Sequence, residues 1–381
     1  MALKIAIIGG SVGGLFAAVL LDRAGFDVQV HERSRAGHGG RGAGLVAQHA
    51  VFRLLREIGC EHVARVGVTA RERIFLDRDG SVAHRVQTPQ TQISWDLLWA
   101  SLRRALPEGR YANGRVAEAV RQGPTEASVR FADGTTVSAD LVIAADGLGS
   151  VLRGAVAGAA ARPVYAGYAA WRGLVPETAL VDEASMLSER FAFYQTPGSQ
   201  TLGYLVPGAD GSVKAGHRRY NWVWYRPADG EAALAAALTD RDGRRHDHSL
   251  PPGAMSDPAV DRLRRDAARL LPPAFARVIG AEPVPFVQAI HDLRSPRMVS
   301  GRIALLGDAA FVARPHTAMG VAKAAADAMA LRDRLVGQAD PVAALALYEQ
   351  DRFEENDAIV SRGIRLGQSL QPAVPEGRSA G

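Results

Sequence analysis

A short run of small residues near the amino terminus is the first chemical signal in this sequence. Residues 9–14 have the sequence GGSVGG, which matches the phosphate-binding pattern G-x-G-x-x-G at Gly9 and Gly14, with Ser11 at the middle position. Small residues let the chain turn tightly and let a pyrophosphate approach the start of the next helix. The Ser11 hydroxyl can itself donate to a phosphate. The pattern predicts a dinucleotide-binding loop, with a plain glycine turn of an α/β unit as the alternative.

An acidic residue follows at a suitable distance. Glu32 closes the next apolar strand, 23 residues after Gly9. A carboxylate at this place accepts hydrogen bonds from the ribose hydroxyls of a bound adenosine and disfavours a 2′-phosphate. The adenosine therefore belongs to NAD or FAD.

Two more acidic residues follow apolar strands far along the chain. Asp146 opens an Asp-Gly step after residues 141–145, and Asp308 closes a Gly-Asp step after residues 303–306. Short apolar runs of this kind predict strands buried in a parallel sheet. The choice between NAD and FAD depends on these two distant motifs.

The hydrophobic periodicity predicts the elements that position these residues. The apolar run Leu3–Ile8, a helical run over 15–21 ending near Gly25, and a strand at Val28–His31 form one β-α-β unit. Further helices are predicted over 47–58, 94–106, 318–335 and 341–364, and short strands over 116–121 and 127–131.

The character of the chain changes between residues 163 and 288, where tryptophan and tyrosine concentrate. Strand-like alternation places Asn221, Val223 and Tyr225 on one face and the intervening tryptophans on the other. This pattern predicts an inserted antiparallel sheet with one face over a core or a pocket.

Composition excludes several classes of protein. The chain has 381 residues, 47% hydrophobic and 22% charged, which is enough for a large core and excludes disorder. The net charge of +5 comes from arginines that alternate with acids, so no nucleic-acid partner is expected. Cys60 is the single cysteine, no apolar run reaches about 18 residues, and His246 and His248 lack a third ligand. We expect a cytoplasmic, soluble protein without a structural metal.

The order of glycine fingerprint, Asp-Gly step and Gly-Asp step resembles that of the single-component flavoprotein aromatic monooxygenases. The segments 42–46, 165–173 and 314–323 look like their family counterparts, and the resemblance spans residues 3–365. It implies an α/β fold with a discontinuous Rossmann-like FAD-binding domain, an inserted and mainly antiparallel β-sheet substrate domain, and a long C-terminal helix. The implied FAD-binding domain consists of residues 1–162 and 289–365, and the implied substrate domain of residues 163–288. Residues 70–95 are expected to contribute to the substrate side, and residues 366–381 to form a flexible tail.

The resemblance also implies which residues hold non-covalent FAD. Asp308 accepts from the ribityl chain, Asp146 supports the pyrophosphate region indirectly, and amides near Met319 face the polar edge of the flavin. The full expected set is Gly9, Gly10, Ser11, Gly14, Glu32, Arg33, Gly42, Gly44, Leu45, Val46, Asp146, Asp308, Pro315, Met319, Gly320, Val321 and Ala322.

Three positions depart from the family pattern: Ser11, Phe311 where many relatives have histidine, and Trp95 where arginine is common. Because Trp95 carries no charge, the positive charge that balances the FAD pyrophosphate is expected from Arg33, Arg41 or Arg103.

The implied reaction is hydroxylation of an electron-rich aromatic or N-heteroaromatic ring by NADH or NADPH and O₂, through a flavin C4a-hydroperoxide. A dehydrogenase or reductase without oxygen insertion is the alternative on the same scaffold, followed by a non-catalytic FAD-binding protein. For the substrate, a hydroxypyridine or phenol, we single out His316 as a proton acceptor and Tyr204, Asn221 and Tyr225 as pocket residues. Arg172 is expected to be structural. The oligomeric state stays open, a homodimer included.

Overall fold

The structure, a computed structural model, describes residues 2–35, 44–46 and 48–370, without the side chains of residues 64 and 65. Two residues of the sequence analysis, Arg41 and Gly42, lie outside the described residues. The tail from residue 371 onward lies outside them as well.

The strands in the described part of the chain are, in order, β1 (Lys4–Ile8), β2 (Asp27–His31), β3 (Gly44–Val46), β4 (Val68–Ala70), β5 (Glu72–Leu76), β6 (Val82–Val86), β7 (Gln90–Ser94), β8 (Tyr111–Ala112), β9 (Ala117–Gln122), β10 (Ala127–Phe131), β11 (Thr136–Ala139), β12 (Leu141–Ala144), β13 (Val164–Pro176), β14 (Arg190–Thr196), β15 (Ser199–Val206), β16 (Arg219–Pro227), β17 (Ser249–Leu250), β18 (Phe286–Arg294), β19 (Val299–Ser300), β20 (Ile303–Leu305) and β21 (Phe311–Val312).

The α-helices in the same ranges are α1 (Val12–Arg23), α2 (His49–Glu57), α3 (Glu61–Arg65), α4 (Trp95–Ala105), α5 (Arg153–Ala157), α6 (Gly230–Leu238), α7 (Asp257–Leu270), α8 (Pro273–Gly280), α9 (Gly320–Gly337) and α10 (Pro341–Leu366). No helix among the described residues combines the length and the apolar character needed to cross a membrane.

The chain divides into two compact units. The first consists of Met1–Gly67, Ile93–Val164 and His291–Arg365, and the second of Val68–Gln92, Tyr165–Ile290 and Leu366–Gly381. Which unit holds FAD and which holds the substrate stays a prediction at this point.

The first unit is built on a sheet with strand order β19-β20-β12-β1-β2-β8, parallel except at β19. Residues 5–8 of β1 are almost completely buried because neighbouring strands and helices cover both faces of the sheet. Helix α1 is buried nearly all round, with Leu15 and Phe16 in the core. It ends before Gly25, whose φ of +91° suits the residue after a helix. The predicted β-α-β unit is confirmed.

The second unit contains a sheet with strand order β17-β18-β13-β16-β15-β14-β5-β6, largely antiparallel. Trp222 and Trp224 pack with Phe275 of α8 and Leu263 of α7 on one face of β16, whereas Val223 and Tyr225 join a separate cluster on the other. The alternation predicted for residues 221–225 is therefore confirmed.

The C-terminal segment corrects one expectation. The flexible tail predicted from 366 does not hold for residues 366–370, because α10 runs to Leu366 and a short 3₁₀ turn follows. Leu370 is buried beside Tyr168 and Tyr225, and Gly198 N–H donates to Ser369 O at 3.0 Å. The apolar side chain of Leu370 packs this segment against the second unit's sheet. The polar composition of the surrounding tail gives no indication of this contact.

Candidate active site

The glycine loop between β1 and α1 requires glycine at its outer positions. Gly9 has a φ of +109°, and a Cβ atom there would lie 2.3 Å from Ala145 O. A Cβ atom on Gly14 would lie 1.9 Å from Gly9 O, whereas one on Gly13 would be in ordinary contact at 3.5 Å. The start of α1 is thus packed directly on the loop, the arrangement that brings helix amides close to a phosphate.

The peptide of Gly10 is fixed on both sides. Its N–H donates to Glu32 Oε2 at 2.7 Å, and its carbonyl accepts from Trp99 Nε1 at 2.9 Å and from the Tyr111 hydroxyl at 3.0 Å. A Cβ atom on Gly10 would lie 2.1 Å from the Tyr111 oxygen. The side chains of Glu32, Trp99 and Tyr111 therefore fix the conformation of the loop, and the last two lie far along the chain from it.

Ser11 occupies the one loop position where a side chain fits. It is the N-cap residue of α1, but its hydroxyl makes no capping hydrogen bond, and the first turn of the helix contains no acid. The first amides of a helix lack intrahelical partners and attract anions. Ser11 and these amides fit a phosphate group.

Glu32 is buried directly after β2, and Arg33 beside it is exposed. The Glu32 carboxylate accepts from Gly10 N through Oε2 and from Ser34 N through Oε1, both at 2.7 Å. A carboxylate oxygen can accept more than one hydrogen bond, so Glu32 is also suited to accept from a ribose hydroxyl. Glu32 thus also shapes the glycine loop, a task the sequence analysis did not assign to it.

Asp146 shapes the turn after β12. Its Oδ2 accepts from Val151 N at 3.0 Å, and burial raises the pKa of its carboxyl. The adjoining Ala145 donates its N–H to Ile8 O at 2.7 Å, which connects this turn to the glycine loop. These contacts agree with an indirect, supporting role, and that role stays a prediction.

Asp308 lies in the 3₁₀ turn Gly307–Ala309 that follows β20. Solvent reaches its side chain, and yet the surrounding protein desolvates its carboxyl and raises its pKa, which the Lys323 charge opposes. The turn lies beside the start of α1, because a Cβ atom added at Gly13 would lie 3.5 Å from Leu306 and from Ala324 in α9.

A buried polar network is hydrogen-bonded to the turn that contains Asp308. Asp327 of α9 accepts from Gly307 N at 3.2 Å, from Arg352 Nε at 2.8 Å and from Asn356 Nδ2 at 3.0 Å. Lys323 Nζ lies 3.6 Å from the same carboxylate. This network was not predicted from the sequence. Its signal there is a pair of polar residues four positions apart on each of the helices α9 and α10.

Helix α9 begins at Gly320, after the 3₁₀ turn Pro315–Thr317 and a left-handed residue, Ala318, with a φ of +53°. Met319 is its N-cap, and no acid occupies the first turn. The amides of residues 320–322 are therefore first-turn donors without intrahelical acceptors. Leu45 and Val46, with Gly44, form the half-buried strand β3.

His316 lies in the turn before α9, two residues after a buried ion pair. Arg314 binds Asp292 through Nε at 2.9 Å and through a terminal nitrogen at 2.6 Å. Burial, and then the charge of Arg314, lowers the pKa of His316 to about 4. At neutral pH its imidazole is uncharged and can accept a hydrogen bond.

The second unit brings together the other three substrate candidates. Tyr204 in β15 is opposite Asn221 in β16, and Tyr225 lies four residues further along the same strand. All three therefore share one face of the sheet, and all three are buried. Burial raises the pKa of Tyr225 to about 12 and that of Tyr204 further, so both hydroxyls stay protonated.

Comparison with known proteins places this geometry in a family. A family model described as FAD binding domain-like matches residues 165–292. The chain is 30% identical to 2,6-dihydroxypyridine 3-monooxygenase of Paenarthrobacter nicotinovorans over 97% of its own length and 91% of that protein. The chain belongs to the FAD-dependent aromatic hydroxylases.

Solved structures agree with that membership. The chain matches 2,6-dihydroxypyridine-3-hydroxylase of Arthrobacter nicotinovorans with a TM-score of 0.91 and 28% identity, over 98% of this chain and 96% of that one. It matches HpxO of Klebsiella pneumoniae, solved with FAD and uric acid, with a TM-score of 0.78 and 26% identity, over 97% and 90%. The predicted fold class and family are confirmed, and this flavoprotein is an FAD-dependent monooxygenase that uses NAD(P)H.

Proposed function

We propose that this flavoprotein hydroxylates a small N-heteroaromatic ring that already bears a hydroxyl group. The observation that carries the proposal is the similarity over nearly the whole chain to an enzyme named for 2,6-dihydroxypyridine. HpxO was solved in complex with uric acid, which is also a nitrogen heterocycle that carries oxygen atoms on its ring. Phenols are the second substrate class.

The first unit supplies the residues for FAD. Ser11 and the first amides of α1 would meet the pyrophosphate, Glu32 the adenosine ribose, and Asp308 the ribityl chain. When bound and reduced by NAD(P)H, FAD supplies the activation of O₂ and the oxygen atom for transfer. Amides 320–322 at the start of α9 would favour negative charge at the ring edge of the cofactor.

The second unit supplies neutral polar groups for the substrate. The protonated hydroxyls of Tyr204 and Tyr225 and the Asn221 amide are buried donors and acceptors on one sheet face. Such groups orient a ring by hydrogen bonds to its oxygen and nitrogen atoms while apolar neighbours exclude water. His316, in the first unit, stays a separate candidate: its imidazole is uncharged at neutral pH and can accept a hydrogen bond, but its low pKa makes it a weak proton acceptor.

The remaining expectations are part of the same proposal. The substrate and O₂ are its small-molecule partners, the protein acts in the cytoplasm, and a homodimer is the assembly to test by light scattering. NADH and NADPH are distinguished by comparing their rates of oxidation.

The test is a panel of hydroxypyridines and phenols with FAD-loaded protein, NADH or NADPH, and ¹⁸O₂. We expect a hydroxypyridine to accelerate nicotinamide oxidation and to gain one labelled oxygen atom, detected by mass. Accelerated oxidation of the nicotinamide with an unlabelled product that has gained two hydrogen atoms would support the alternative of a dehydrogenase or reductase without oxygen insertion. A panel in which only phenols gain oxygen would refute the N-heteroaromatic class.

A further inference from the structure

Arg172 lies on the same sheet face as the proposed substrate residues. It is in β13, directly opposite Val223 of β16, and Asn221 and Tyr225 flank that position. Residues opposite each other in an antiparallel pair share a face. Its charge also reaches the hydroxyls of Tyr204 and Tyr225, whose pKa values it lowers against the effect of burial.

The Arg172 guanidinium has few partners for its charge. One terminal nitrogen donates to Gln288 Oε1 at 3.1 Å, and the group lies 5.7 Å from the centre of the Phe286 ring. Its Nε atom is buried and makes no hydrogen bond with any described residue. Within the described ranges, no ion pair with a carboxylate involves it. The two groups that it contacts, an amide and an aromatic ring, are both neutral.

Three buried arginines of this chain have carboxylate partners, and a fourth, Arg153, donates to three backbone carbonyls. Arg314 binds Asp292, Arg352 binds Asp327, and Arg218 binds Glu177. Arg226, on the opposite face of the same sheet, binds Asp266 at 2.5 Å. A partly buried cation without a counter-charge is costly, and the unused Nε–H adds to that cost. An anion on this face would remove both costs.

We propose that Arg172 supplies the counter-charge for an ionised ring oxygen, so that the enzyme selects its substrate as an anion. This inference rests on the proposed function and adds the charge state of the substrate to it. An oxygen anion would accept from Nε–H and from a terminal nitrogen, the fork that a guanidinium presents to anions. The role replaces the structural one expected from sequence, and it makes Arg172 a specificity residue.

The experiment is calorimetric titration of the FAD-loaded protein, without NAD(P)H, using two matched ligands. The first is 2,6-dihydroxypyridine, at a pH where its ultraviolet spectrum shows it to be an anion, and the second is 2,6-dimethoxypyridine at the same pH, which has no hydroxyl proton to lose and cannot form an oxygen anion. Arg172→Met should weaken binding of the anion by about tenfold or more and change binding of the neutral ring by less than about twofold. Arg172→Lys should bind the anion with intermediate affinity.

Arg226→Met is the matched control, because it removes an arginine from the other face of the same sheet. It should leave the affinity for the anion unchanged, with FAD content and circular dichroism reporting the fold of every variant. Unchanged affinity for the anion in Arg172→Met, or an equal loss for both ligands, would overturn the proposal.

Failure of the proposed function gives a different result. If the wild-type protein binds neither ring, the substrate class is wrong, and thiocyanate replaces the rings as a small monoanion in the same titration. Weaker thiocyanate binding in Arg172→Met than in wild type would still support the anion site. Equal binding in both proteins would refute it.

Discussion

His31 shows how one buried histidine contributes to the response of this protein to acid. It ends β2 directly before Glu32, is 5% exposed, and neither ring nitrogen has a hydrogen-bond partner among the described residues. Its ring lies 5.0 Å from that of Phe131, whose other neighbour is the Arg115 guanidinium at 4.2 Å. Burial, and then the charge of Arg115, lowers the pKa of His31 to about 4.

We therefore predict that the free energy of unfolding falls as the pH drops from about 6.5 to about 4. In the unfolded chain His31 binds a proton near its ordinary pKa, whereas in the folded chain it does so only near pH 4. The contribution of His31 to the free energy of unfolding is therefore fully present above about pH 6.5 and is lost as the pH falls to about 4. The full loss from this residue is about 3 kcal/mol. Urea unfolding of the apoprotein at several pH values measures it.

The control for His31 replaces an exposed histidine by the same residue. His31→Phe should flatten the dependence on pH, and exposed His62→Phe should leave it as in wild type. An equal slope in wild type and His31→Phe would contradict the prediction.

At the scale of elements, α1 and its glycines decide whether the pyrophosphate loop forms. Gly13 and Gly14 are neighbours in the first turn, and they differ in what surrounds them. A Cβ atom added at Gly14 would clash with the backbone of Gly9, which cannot move without changing the loop. A Cβ atom added at Gly13 would contact only side chains.

We predict opposite outcomes for two alanine substitutions one residue apart. Gly14→Ala should weaken FAD binding at least tenfold, because a contact of 1.9 Å with Gly9 O forces the loop to shift. Gly13→Ala should bind FAD normally and gain up to about 1 kcal/mol of stability from helix propensity. Quenching of flavin fluorescence measures binding, and equal affinities for the two variants would refute the argument.

The start of α9 is an element whose local geometry limited prediction. The apolar pattern predicts a helix from residue 318, and α9 begins at Gly320. The difference arises because Ala318 adopts a left-handed conformation and Thr317 Oγ1 accepts from Met319 N at 3.1 Å. Periodicity finds the apolar face of a helix, but the cap that ends it depends on a few hydrogen bonds.

At the scale of the whole molecule, FAD should act as a stabiliser, because the folded chain binds it and the unfolded chain does not. FAD at a hundred times its dissociation constant should raise the free energy of unfolding by about 2.7 kcal/mol. FMN, which lacks the adenosine half that the loop at Gly9 and Glu32 would hold, should stabilise less at the same concentration. Urea unfolding with each nucleotide measures both effects.

Asp308→Asn provides the comparison for that experiment. Because FMN and FAD share the ribityl chain, this variant should weaken the stabilisation by both nucleotides. Equal stabilisation of the wild-type protein by FAD and FMN would show that the glycine loop does not bind the adenosine half.

The sequence by itself determined the family, the parallel strands that precede Asp146 and Asp308, and the alternation along β16. These features depend on neighbours in the chain: small residues where a turn is tight, and apolar residues at a fixed period. Only the tertiary structure decided that Trp99 and Tyr111 hold Gly10, that Asp327 lies beneath the Asp308 turn, and that Arg172 has no carboxylate partner among the described residues. Those contacts join residues far apart in the chain, and their partners are set by how elements pack.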